Sequence, residues 1–403
     1  MSVQASDFPA TSKPSRGWAL FGYGFRPFFL LAALYAPTAV AAWLLVLMGA
    51  LPDPAYLGGP LLHSHEMVFG FAVAGVLGFL TTALPNFAGA TPITGRPLAA
   101  LAAVWLLGRI ALWTADWLPS LLVAAADLAL VPLALVLLLN SLPRHPSWRM
   151  LVFPALFGLF ELANALVHAE ALGWTRDTGA AGVTLGINLI AILVAIIGGR
   201  IIPSFTANAL RAAGARRLPR SFRALDAAGI GATAAMALAM LAVGNGPIVG
   251  AVALLAGLAN AARLAFWRGA QTIRTPILFV LHAGYGWLAA AQLLRGAAEF
   301  GFVPGSAALH ALTVGCFAMM MLAVMSRAAL GHTGRALRAH PLTVAAYVLV
   351  SVAALSRIAA ALLPALQMPL LTAAAASWIA AFMLFLTVYA PILLSPRADG
   401  KPG

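Results

Sequence analysis

Apolar runs recur along the whole chain, each closed by proline, glycine or charge. A run of about 20 apolar residues crosses a bilayer core as one helix, because every backbone polar group is then satisfied within the segment. The runs predict helices over 28–49, 62–84, 98–115, 118–139, 150–169, 182–202, 224–243, 248–266, 276–296, 307–327, 342–363 and 370–393. This is an all-α, polytopic membrane bundle of about twelve spans. Residues 21–397 form its single transmembrane domain, between polar tails at 1–20 and 398–403. The first tail has Pro9, Lys13, Pro14 and Arg16 but no apolar core, so a cleaved signal peptide is not expected.

The loops test the count independently. With the N-terminus inside, the inner segments hold Lys13, Arg16, Arg26, Arg96, Arg144, Arg149, Arg211, Arg216, Arg217, Arg220, Arg223, Arg268, Arg274, Arg335, Arg338, Arg397 and Lys401. The outer loops hold Arg176, with Arg295 near a span end. One missed span would destroy this alternation, so both termini are read as cytoplasmic.

Composition agrees. Of 403 residues, 62% are hydrophobic and 9% charged, too little polar surface for a soluble globule. The net charge of +13 is spread between apolar runs, which argues for membrane orientation and against nucleic acid. The single Cys316 rules out an intramolecular disulfide. There is no Walker-type glycine loop and no CxxCH, which argues against ATP-driven transport and covalently attached haem. The inner loop 203–223 separates two halves that share no motif, so an inverted-repeat transporter gains no support.

Chemistry concentrates in Leu61–Phe87. His63, His65 and Glu66 stand at the mouth of this span, where ionisable groups are costly and usually functional. One helical face reads His63, Met67, Gly70, Ala74, Gly78 and Thr81, a ligand-capable group above small residues that leave room for a flat molecule. Two residues apart on a regular helix is about 200° of rotation, so His63 and His65 cannot share one metal ion. The predicted topology brings His63, His65, His168 and His310 to one depth near the outer side. His282 falls in the inner part of its span, His332 in an inner loop, and His145 and His340 beside prolines. Imidazole is a common ligand of haem iron and copper alike.

Three acids, Glu66, Asp127 and Glu161, fall within or at the ends of spans. Glu161, Asn164 and His168 share a helical face that can support a metal or carry protons. The plainer reading pairs the acids with the intramembrane arginines Arg109, Arg200, Arg263, Arg327 and Arg357.

The stretches GFRPFFLLAALY (24–35), HSHEMVFGF and GFLTTALPNF (63–87), GRPLAALAAVWLLGR (95–109), GGRIIPSFTANAL (198–210), LHAGYGW (281–287), HALTVG (310–315), VMSRAALGHTGR (324–335) and FLTVYAPILLSPR (385–397) resemble, in order, the motif set of the NnrS family. The resemblance implies a twelve-span protein of the bacterial inner membrane that contains haem and copper. It also implies a role in the response to nitric oxide and nitrosative stress, often beside denitrification. A shorter resemblance, through His63, Met67, Phe69 and Gly78, links the second span to subunit I of haem-copper oxidases and nitric oxide reductases.

On this reading a haem b has His63 and His310 as axial ligands, with Met67, Gly70 and Gly78 beside the ring. His65, His168 and His282 are candidates for copper or a second haem, and Glu66 and Glu161 for proton handling. The expected partners are nitric oxide, membrane lipid and an electron donor such as a quinol. Turnover of nitric oxide, non-catalytic binding or sensing, and metal-independent transport remain alternatives at this point.

Overall fold

A computed structural model describes residues 19–144 and 147–401, the side chains of 86–88 and 148–149 excepted. Lys13, Arg16, His145 and most of the predicted first tail lie outside the described residues. The described chain is helical, without a strand. Twelve helices are long and apolar enough to span a membrane: α1 (Phe25–Leu47), α2 (Gly59–Pro85), α3 (Arg96–Trp113), α4 (Ser120–Ser141), α5 (Met150–Ala171), α6 (Thr178–Ala212), α7 (Arg223–Val243), α8 (Pro247–Ala265), α9 (Pro276–Glu299), α10 (Gly305–His332), α11 (Pro341–Leu362) and α12 (Pro364–Leu394). An even number of spans returns both ends to one side, which also carries Arg211, Arg216, Arg217, Arg220, Arg223, Arg268, Arg335 and Arg397.

The inner boundary of α6 differs from expectation. The predicted span ends at 202, but the helix continues through Pro203 to Ala212 and takes up half of the predicted inner loop. The sequence IIPSFTANALRA explains this. Ile201, Ile202, Thr206 and Leu210 are buried on one face while Asn208, Ala209 and Arg211 face out, the pattern of an amphipathic helix.

α2 is the most enclosed of the spans. It packs against α1 and α3 on one side and α6 on another. A π-helical segment, Glu66–Ala72, interrupts it, and similar segments interrupt α6 at Val194–Gly198 and α10 at Ala311–Ala318. Such wide turns leave backbone groups free for outside partners and are frequent at functional sites. In α2 the carbonyl of Gly70 accepts from the indole of Trp105 on α3 at 3.0 Å.

The two ends of the chain are tied by Arg26, which is fully buried at the start of α1. Its guanidinium donates to the carbonyls of Leu393 at 2.9 Å and Ser395 at 2.7 Å, in the last turn of α12, where carbonyls have no intrahelical partner. Removing a charged hydrogen-bond donor of this kind costs about 2–3 kcal/mol. Arg26→Ala is expected to lower the unfolding temperature of the detergent-purified protein. An unchanged thermal transition would show that the cap carries no stability.

Candidate metal centre

Four spans bring their polar residues to one buried point on the side opposite the arginine-rich face. α2 supplies His65 and Glu66, α3 supplies Arg109, α4 supplies Asp127, and α5 supplies Asn164 and His168. All six are buried, each less than a twentieth exposed. Nε2 of His65 lies 3.2 Å and Nε2 of His168 2.9 Å from Oδ2 of Asp127. The three ligand atoms all fall within 4.8 Å of one another. Donors around a tetrahedral ion with bonds of about 2.0–2.1 Å stand about 3.4 Å apart, so the two imidazole–carboxylate pairs need move only slightly apart to seat a metal among them. Oδ1 of Asn164, 2.7 Å from Nε2 of His65, adds a fourth donor atom.

The outer nitrogen of each imidazole is also engaged. Nδ1 of His65 meets Oε1 of Glu66 at 2.8 Å, and Nδ1 of His168 meets the hydroxyl of Tyr56 at 2.9 Å. Histidine ligands are commonly oriented in this way, with the second nitrogen held by a carboxylate or another polar group. Tyr56 lies in the connection before α2, and burial pushes its phenol up to about 12, so it stays neutral. A neutral hydroxyl can donate to Nδ1 or accept from it, and so serves either tautomer of His168. Arg109 spans the two acids, donating to Oε1 of Glu66 and Oδ1 of Asp127.

The hydrogen-bond count of this cluster does not close without an added cation. Both ring nitrogens of His65 face acceptors: Glu66 on one side, Asn164 and Asp127 on the other. The amide of Asn164 is fixed, because its Nδ2 donates to Asp127 at 2.7 Å. A neutral imidazole has one N–H for these two directions. The charges agree, since two carboxylates against Arg109 leave one negative charge over. Either an extra proton or a metal ion at Nε2 of His65 completes the arrangement. Two imidazoles and a carboxylate suit zinc, iron(II) or copper(II).

His63, two residues before His65, points elsewhere. Its ring stacks on Trp43 of α1 at 5.1 Å, and its Nδ1 is buried without a partner. His310 at the start of α10 donates through Nδ1 to the carbonyl of Ser306 at 2.8 Å. Of the four histidines predicted at one depth, His65 and His168 meet at Asp127 while His63 points away from them, and the helical separation of His63 from His65 is what the structure shows.

The other predicted residues take different places. Met67 is half-buried against the core. The space over Gly70 is taken by Arg109 and Tyr35, and that over Gly78 by Phe29 and Phe28, so these glycines admit neighbouring side chains. Glu161 does not join Asn164 and His168, and its Oε2 is buried without a hydrogen bond. His282 stands apart near the arginine-rich side, within 3.3–3.4 Å of Thr206 Oγ1 and the carbonyls of Leu278 and Trp267. His332 stacks on Tyr23, and His340 caps α11 by accepting from the amide of Leu342. Asp127 and Tyr56 were not foreseen as members of the centre. A lone acid inside SLLVAAADLALV was the available signal for Asp127; Tyr56 had none.

A second buried network, in α6 to α9, has its hydrogen bonds met by protein groups. Arg263 donates to Asp226 at 2.9 Å, Asn260 at 3.1 Å and the carbonyl of Ala195 in the α6 π segment at 3.1 Å, and also to Tyr285. Asn260 in turn donates to Gln292 at 2.9 Å and Thr233 at 3.1 Å. Gly199 lies directly beneath the guanidinium, and a methyl group there would overlap Nη2. Gly199→Ala is therefore expected to cost about 1–3 kcal/mol in overpacking. Thermal unfolding that matches the wild type would show that Arg263 can move aside.

The fold and this centre define a twelve-span helical membrane protein with a buried His–Asp–His cluster able to hold a metal ion. The chain belongs to the NnrS family: the family profile, described as NnrS protein, matches residues 19–397. No curated protein sequence matches it significantly.

Proposed function

We propose that this protein is a metal-binding member of the nitric oxide response, holding copper at His65, His168 and Asp127 near the outer face of the bacterial inner membrane. The observation that carries the reading is the unclosed hydrogen-bond count at His65, whose two ring nitrogens both face acceptors. Copper(II) binds imidazole and carboxylate donors more tightly than the other common divalent ions. The metal would supply a coordination position for nitric oxide. Glu66 and Tyr56 would hold the two imidazoles in orientation, while Arg109 neutralises the carboxylates behind them.

Haem b would find imidazole donors at His63 and His310. The orphaned Nδ1 of His63 and the half-buried ring of His310 are the residues that would hold its iron. Reduction of nitric oxide at such a site would take two molecules, two electrons and two protons to give nitrous oxide and water, with a quinol as a suitable donor.

The test is an optical and electron paramagnetic resonance spectrum of the purified, dithionite-reduced protein before and after nitric oxide. The expected result is a spectral change that requires His65 and His168. A metal-loaded protein whose spectra ignore nitric oxide would reject the reading.

A further inference from the structure

A cavity of about 80 Å³ lies near the middle of α2, α6 and α10, with Phe29 of α1 also on its wall. Every residue that lines it is apolar. Val194, Ile197 and Gly198 belong to the π segment of α6 and Phe317 to that of α10, so both wide turns border the space. Among the lining residues Val76, Ile197 and Val324 are half-buried at mid-span, where an opening meets hydrocarbon and not water.

Lining and size together select the occupant. A cavity without polar partners stays free of water, and an ion would lose its solvation there with nothing in return. An apolar cavity of about 150 Å³ takes benzene or xenon, so one of about 80 Å³ takes a molecule of a few atoms and is too small for a lipid chain. The same helices lead on to the metal centre. Ile190 lines the cavity, and one turn before it Gly186 packs closely on α2: a methyl group there would meet Val68 at 2.8 Å and Phe69 at 3.1 Å. The ring of Phe69 lies 5.0 Å from that of His65. Apolar side chains between α2 and α6 thus join the cavity to the first histidine of the centre.

We infer that this cavity is a holding site for a small, uncharged, nearly apolar gas, which enters from the lipid and passes between α2 and α6 to the His65 centre. That the gas is nitric oxide rests on the function proposed above. The site itself rests on the cavity, its lining and its link through Phe69. Such a gas dissolves in the hydrocarbon of the bilayer, so a mid-span opening receives it without crossing the polar outer loops.

The experiment compares full-length wild type, Val76→Phe and Ile197→Phe, purified in nonionic detergent. Each variant puts an aromatic ring into the empty space from a different helix, and thermal unfolding checks that it folds. Xenon binding, followed by xenon nuclear magnetic resonance, needs no metal. The rate and end-point of the nitric oxide spectral change are read by stopped flow on the reduced, metal-loaded protein. The wild type is expected to bind xenon. Each variant is expected to lose xenon and to take up nitric oxide at least tenfold more slowly, with end-point spectrum and metal content unchanged. A wild type that takes up no xenon overturns the inference, whether side chains close the space or a lipid chain fills it. So does a variant that has lost xenon yet meets nitric oxide at the wild-type rate. If one variant does not fold, the other decides. If nitric oxide leaves the wild-type spectrum unchanged, the proposed function fails, while xenon bound by the wild type and lost in the variants still upholds the gas site.

Discussion

Arg109→Ala is expected to be the most damaging single substitution in the bundle. The guanidinium is the only resolved cation between Glu66 and Asp127, and both carboxylates are almost fully buried. Removing one partner of a buried ion pair costs about 3–5 kcal/mol, because the remaining charge has no solvent to turn to. Here two carboxylates would be stranded, so the loss lies at the upper end of that range. Arg109→Lys keeps the charge but cannot donate in two directions from a planar fork, and should recover only part of the stability. The informative companion is the triple variant Arg109→Met, Glu66→Gln, Asp127→Asn. It removes the charges together and should fold better than Arg109→Ala, as replaced buried ion pairs often do. Folded yield and thermal unfolding in detergent measure all three. A stable Arg109→Ala protein would mean that the two acids are neutral in the native state.

The second large effect is on metal affinity, and it is graded by distance from the ion. His65→Ala and His168→Ala each remove a ligand and should abolish tight binding. Tyr56→Phe removes one hydroxyl that touches only the far nitrogen of His168. Loss of such an orienting contact typically costs 10–100-fold in metal affinity. Titration with copper against a competing chelator measures this. If Tyr56→Phe binds as tightly as the wild type while His168→Ala does not, the phenol has no role in orienting the ligand. If both bind normally, the centre has been misplaced.

Much of the architecture was legible because the membrane leaves few choices. A helix is the only way to satisfy the backbone of an isolated apolar run, so span number and alternation followed from hydropathy and arginine placement. The end of α6 was misjudged because GGRIIPSFTANAL is amphipathic, so the apolar run ends there although the helix continues. The division between His63 and His65 was also legible, since it needs only the pitch of one helix.

The composition of the centre was legible only in part. Helical spacing placed Asn164 with His168 but attached Glu161 to them as well, and side-chain direction within one helix cannot tell which face meets a neighbour. The plainer expectation that acids pair with arginines and the expectation of a metal centre both describe the same residues. Arg109 binds Glu66 and Asp127, while the remaining oxygen of Asp127 faces the two histidines. Asp127 could not be assigned as a ligand from sequence, because its role depends on α4 standing between α3 and α5. Which helices are neighbours is set by packing, and periodicity along one chain does not encode it.

The most direct test of the account is the metal content of wild type and Asp127→Asn, determined by elemental analysis on monodisperse protein purified from copper-supplemented cells. Asparagine keeps the size of the side chain but removes the charge that both imidazoles share. The account predicts bound metal in the wild type and its loss in Asp127→Asn, with both proteins folded. A metal-free wild type, or an Asp127→Asn protein that retains the full complement, would contradict it.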